Sequence, residues 1–158
     1  MHLKNFITKK VEVDMTLDTS AFASGDIMGT ATIPIPTVMF EQSPKVRLWI
    51  EHITILDKDD QGGLFDLVVL DANKSLGTLN AAPSISDADA AAIVAVIPVT
   101  SWTDVGGAQI ARPSFDPVFV ELADLNLYLA AISRDTKTYS AAGLRLKLGV
   151  RIESGEGI

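Results

Sequence analysis

No cysteine occurs among the 158 residues, which excludes a disulfide scaffold, a thiolate metal site, a CxxC redox centre and a cysteine nucleophile, and leaves the redox compartment open. Cations are scarce: 13 Lys and Arg stand against 20 Asp and Glu, a formal net charge of −7. Phosphate backbones are held by a local excess of cations, so nucleic acid is not an expected partner. Long apolar runs are missing too, since the most apolar stretch, residues 90–99, stops short of the roughly 18–20 residues that span a bilayer. Residues 1–10 carry Lys4, Lys9 and Lys10 with no apolar region after them, so neither export nor a membrane partner is expected.

Charge of either sign is sparse at 21%, while 47% of residues are hydrophobic. A chain so apolar is expected to hide additional surface in a homo-oligomer. Its length suits one domain, which at this size buries roughly 70% of its unfolded surface without staples.

What the sequence does contain is a period of two. Over residues 11–18, Val11, Val13, Met15 and Leu17 alternate with Glu12, Asp14, Thr16 and Asp18. Alternate strand residues face opposite sides, so this segment covers a core with one face and meets water with the other. Residues 144–153 repeat the pattern, with Leu144, Leu146, Leu148, Val150 and Ile152 on one side. In residues 46–56 the apolar phase runs through Val46, Leu48 and Ile50 and resumes at Ile53 and Ile55. That flip near Glu51 and His52 predicts a β-bulge or a strand covered on both faces.

Further strands are expected over residues 64–70, 125–133 and, briefly, 108–111. One more, over 93–99, should be buried, with Pro98 marking an edge or a bulge. Ser86 and Asp89 have the form of a capping box, which allows one or two helical turns over 88–92. Residues 71–83, and most of 102–117, read as loop. Seven or eight short strands without a long helix predict an all-β fold, an antiparallel β-sandwich or jelly roll with at most one short helix. The expected organisation is an N-terminal arm at 1–10, a single sandwich domain at 11–153 and a loose tail at 154–158. In the arm Leu3, Phe6 and Ile7 have helical spacing, which fits either a frayed end or an arm docking on a neighbouring subunit.

Motifs that carry chemistry are thin. His52 follows Glu51, but adjacent strand residues point opposite ways, so a structural role is expected for the histidine. No GxSxG, GxxxxGK or GxGxxG is present, and Gly25, Gly29, Gly106 and Gly107 read as turn glycines. Asp57, Asp59, Gln61 and Gly62 imitate the opening of a calcium-binding loop, yet the twelfth position, where a bidentate Glu belongs, is Val68; a polar turn is the better account. Trp49 and Trp102 are expected in the core or at a sheet edge. Among 20 acidic residues no pair stands out for glycoside hydrolysis. No catalytic, cofactor-binding or metal-binding residue is assigned, and no enzyme activity is expected.

The segment 11–27, an alternating strand running into Phe22, Ala23, Ser24, Gly25 and Asp26, resembles the opening of a family of small tailed-bacteriophage virion proteins. Further pieces match in order: the strand entering the acidic turn (Ile53 to Asp59), the apolar strand at 64–70, Ser86 to Asp89, Leu127 and Tyr128, and the run Thr138 to Leu144. Pro34 and Pro36 depart from that pattern, and residues 101–117 do not align with it. The resemblance implies a capsid decoration, or cement, protein on the virion surface, made in the host cytoplasm, often trimeric, with itself and the major capsid protein as partners. A tail, baseplate or head-fibre component is the alternative. A carbohydrate-binding or hydrolytic β-sandwich is the alternative from another class.

Overall fold

A computed structural model describes residues 6–36 and 46–153. Eleven strands and one helical turn follow each other in the order β1 (Phe6–Asp14), β2 (Thr16–Leu17), β3 (Ile27–Pro34), β4 (Val46–Asp57), β5 (Phe65–Leu70), α1 (Asp87–Ala90), β6 (Ile93–Val99), β7 (Thr103–Asp104), β8 (Gln109–Ala111), β9 (Val118–Leu122), β10 (Asn126–Ser133) and β11 (Leu144–Glu153). They build two antiparallel sheets packed face to face, a β-sandwich. Sheet A runs β1-β11-β4-β8-β7, with β9 also paired to β4, and sheet B runs β2-β3-β10-β5-β6.

The period of two explains the core. Leu48, Ile50, Ile53 and Ile55 of β4, with Leu144, Leu146, Leu148, Val150 and Ile152 of β11, turn inward from sheet A. They meet Phe65, Leu67 and Val69 of β5 and Leu127, Leu129 and Ala131 of β10. Each fully buried Leu, Ile or Phe contributes about 1.5–3 kcal/mol, far more than the exposed ion pairs, at about 0–1 kcal/mol each.

The phase flip in β4 is a bulge. Gly149 of β11 pairs with His52 and Val150 with Ile50, so Glu51 is the extra residue. The expected strand at 11–18 does not stay in one sheet. β1 ends at Asp14, the Met15 N–H donates to the Leu144 carbonyl at 2.9 Å, and β2 joins sheet B beside β3. Gly29 permits this crossing, because a side chain there would strike Leu17 and the Thr16 carbonyl.

The N-terminal arm expected at 1–10 is shortened, since Phe6 to Lys10 pair with Glu153 to Gly149 as part of β1. Leu3 and the tail at 154–158 lie outside the described residues. β6 is the edge strand that Pro98 suggested, but it is half-exposed and not buried, because only Ile97 and Val99 turn fully inward. Three strands were not foreseen, among them the two-residue β7 within the stretch read as loop. β3 is broken up in sequence by Gly29 and Pro34, and β9 is a short run directly after Pro117. The capping box is present, with Ser86 Oγ accepting from the Asp89 N–H at 3.1 Å, and supports the single turn of α1.

The outer faces of the two sheets differ. That of sheet B is covered by residues 71–92, whose Leu76 and Ala92 close a second cluster over Val68, Leu70 and Ala130. That of sheet A carries no such cover among the described residues.

Candidate interaction surface

The open face of sheet A displays side chains from four neighbouring strands. Arg151 of β11 pairs in register with Trp49 of β4, and Trp49 with Phe119 of β9, which sets three outward side chains in a row. Phe6 of β1 reaches the same spot diagonally. The Trp49 ring stands 5.1 Å from Phe119 and 5.8 Å, edge-on, from Phe6. The Arg151 guanidinium carbon lies 4.7 Å from the Trp49 centroid and 4.9 Å from that of Phe6. Geometries of this kind add about 0.5–1 kcal/mol per cation–π pair at exposed sites.

Charged groups border the cluster. Arg47 donates to Glu121 at 3.0 Å, and Glu51 Oε1 lies 2.8 Å from Arg151 Nε. That second contact is an ion pair by proximity only, because the Nε–H is not aimed at the oxygen. Phe6 is 44% exposed and Phe119 46%, unusual for phenylalanines on a sheet whose opposite face already fills the core.

The bulge shapes one side of this surface. It turns both Glu51 and His52 to the outer face, so the expectation that these neighbours point opposite ways does not hold. Glu51 reaches Arg151, while the His52 ring lies flat over Gly149, where any side chain would collide with it. His52 Nδ1 is buried without a hydrogen-bond partner. Glu51 and His52 are therefore placed by the bulge and packing, and neither holds the other in acid–base geometry.

The acidic turn after β4 is a knot of backbone capping. Asp57, fully buried, accepts from the N–H groups of Asp59, Gln61 and Gly62 at 3.0, 2.9 and 2.7 Å. The Tyr139 hydroxyl donates to Asp57 at 3.3 Å and accepts from the Gly63 N–H at 2.8 Å. Burial, then the Asp57 charge, pushes the Tyr139 phenol above its ordinary range. Asp59 accepts from Ser140 N–H at 2.6 Å. Donors surround the oxygens that a cation would need, and Val68, at the twelfth position, is buried under the cover of sheet B. A polar turn accounts for every one of these bonds.

The two tryptophans divide. Trp102 packs against Phe65 and donates its indole N–H to the Gly63 carbonyl at 2.9 Å, as a residue at the core margin. Trp49 belongs to neither the core nor an edge; it sits mid-sheet on the outer face. Sequence reasoning placed no functional residue at Trp49, Phe119 or Arg151, and considered Phe6 only as part of an arm that could dock on a neighbouring subunit. The signal was present for one of them, because Trp49 lies between inward Leu48 and Ile50 and must point out. Elsewhere, an open depression of about 350 Å³ lies between Pro98–Ser101 and Arg112–Ser114; Arg112 is the one charged group lining it.

No helix among the described residues is long and apolar enough to cross a membrane. Comparison with known protein families, with curated proteins and with solved structures finds no match.

Proposed function

We propose that this protein is a non-catalytic structural subunit of a bacteriophage virion, a capsid decoration protein that binds neighbouring coat subunits through the Trp49 face of sheet A. The observation that carries the proposal is the Phe6–Trp49–Phe119–Arg151 cluster on an otherwise solvated sheet. Aromatic residues and Arg are enriched at the centres of protein interfaces and supply most hot spots, ringed by polar groups that exclude water. The resemblance of the ordered motifs to small virion proteins supplies the biological setting.

A decoration protein acts by binding the assembled shell better than its separate parts. Its free energy of binding then adds to the cost of expanding or rupturing the shell, and contacts to several subunits at once raise the effective concentration of each. The net charge of −7 suits a protein beside a packaged polyanion, since it avoids capture by nucleic acid.

A sugar-binding platform is the less favoured reading, because the Trp49 ring is already engaged by Phe6, Phe119 and Arg151 and, among the described residues, no convergent carboxylates accompany it as a sugar site would need. Immunogold labelling of purified particles of the phage that encodes the chain tests the assignment. Label over the head supports it. Label confined to the tail or fibres moves the subunit to the alternative position, and particles without label overturn the virion reading.

A further inference from the structure

Apart from the two-residue strands β2 and β7, three strands leave one side without a partner strand among the described residues: β1, β9 and β6. An open edge is a template for pairing with another chain, and proteins blunt it with charge, with proline or with a bulge. β1 carries Lys9, Lys10 and Glu12 along its length, and β9 carries Glu121. β6 carries no charge, only Pro98 and a bulge at Val94. Residues 90–103, from α1 to the start of β7, contain no charged side chain at all.

The backbone of β6 is oriented to pair. The Arg134 N–H donates to the Leu64 carbonyl at 2.8 Å, which fixes the alternation in the adjoining strand β5. Even-numbered residues there address β10, and Phe65, Leu67 and Val69 address β6. Their partners Val99, Ile97 and Ala95 therefore turn their peptide groups inward, and Val96 and Pro98 turn theirs to the open edge. Pro98 has no N–H to strand there. A register slip opposite Val69 and Leu70 makes Val94 the extra residue of a bulge, without a register partner in β5. On the outer face of sheet B the Val94 side chain is 37% and that of Val96 54% exposed, against 2% for the inward Ile97.

We propose that β6 joins two copies of this chain, antiparallel about a two-fold axis near Ala95, so that sheet B continues through the dimer. In that register Val94 of each copy pairs with the partner's Val96, and the two strands exchange main-chain hydrogen bonds while Pro98 stays clear of the ladder. A second copy is the occupant that the charge distribution favours. On a chain of net charge −7, apposing two identical surfaces brings like charges together wherever charges stand, and β6 is the strand edge where none do. The contact is also self-complementary, as a two-fold interface must be. Val96 lies in register with buried Val68, so the second copy extends the apolar cluster already present on the outside of sheet B. The proposal does not depend on the virion assignment.

Size-exclusion chromatography with light scattering on the full chain, joined to amide hydrogen exchange, tests it. The wild-type protein is expected at twice the chain mass. The amides of Val94 and Val96 are expected to exchange more slowly at high protein concentration than at low. Val96→Lys, a change at an exposed position, should weaken the dimer by about tenfold or more, while at dilutions where both proteins are monomeric its melting temperature should match that of the wild type. Val94→Lys asks the same question at a second exposed position, should the first variant fold poorly. A wild-type monomer or trimer overturns the proposal. So does a dimer that both lysine variants leave intact while the Val94 and Val96 amides exchange independently of concentration.

Discussion

The hydroxyl of Tyr139 reaches Asp57 Oδ2 at 3.3 Å across 82 residues of sequence. Through it, the turn after β4 is fastened to the segment that leads into β11. The same two segments meet again where Asp59 accepts from Ser140 and where the Lys58 N–H donates to the Gly143 carbonyl at 2.8 Å. The acidic turn and the run Thr138 to Leu144, far apart in sequence, are thus one structural joint.

Removing the Tyr139 hydroxyl tests that joint. Tyr139→Phe leaves the buried Gly63 N–H without its acceptor, while Asp57 Oδ2 keeps the Gln61 and Gly62 N–H groups, and a buried donor without an acceptor costs about 1–3 kcal/mol. Urea unfolding should show a loss of that size with an unchanged m-value.

The same phenol makes stability sensitive to alkali. Its folded-state pKa is raised, chiefly by burial and then by the Asp57 charge, so above the ordinary tyrosine value near 10 the unfolded chain releases a proton that the folded chain retains. The contribution is complete below that value and is lost as pH climbs beyond it. Melting temperature should therefore fall more steeply above about pH 10 in the wild type than in Tyr139→Phe.

Gly149 should not tolerate a side chain. The His52 ring occupies the place a Cβ would take, so Gly149→Ala is expected to cost about 1–3 kcal/mol as an overpacked contact. Adding His52→Ala should restore most of the loss. The coupling in a double-mutant cycle measures it, and independent effects of the two changes would contradict the packing described.

The alternation of apolar residues was sufficient to read the all-β class and the long strands β4, β10 and β11, and to offer a bulge near Glu51 as one of two accounts of the phase flip, because each signal lies within one stretch of chain. Where local signals conflicted, the reading failed. Gly29 and Pro34 hid β3, although Ala31 and Ile33 alternate correctly, and the apolarity of Ile93 to Val99 suggested burial for a strand that is half-exposed, although Pro98 had pointed to an edge or a bulge. The Trp49 cluster was out of reach as a cluster. Phe6, Trp49, Phe119 and Arg151 come from four strands, and only the cross-strand register brings them together. The outward direction of Trp49 alone could be deduced from its neighbours.

Arg151 should support the cluster without supporting the fold. Arg151→Ala removes a cation stacked over two rings at a position 39% exposed in its side chain. The change is expected to alter the near-ultraviolet signal of Trp49 while stability moves by about 0.5–1 kcal/mol. Circular dichroism and thermal melting check both.

The proposed virion role is measured most directly by binding of the purified protein, wild type against Trp49→Ala, to phage shells from which decoration subunits have been stripped. Loss of a tryptophan hot spot costs about 2 kcal/mol or more, which predicts at least about thirtyfold weaker binding by a variant that still melts as a cooperative sandwich. Equal affinity of the two proteins for the shell, or no binding by either, would contradict the account.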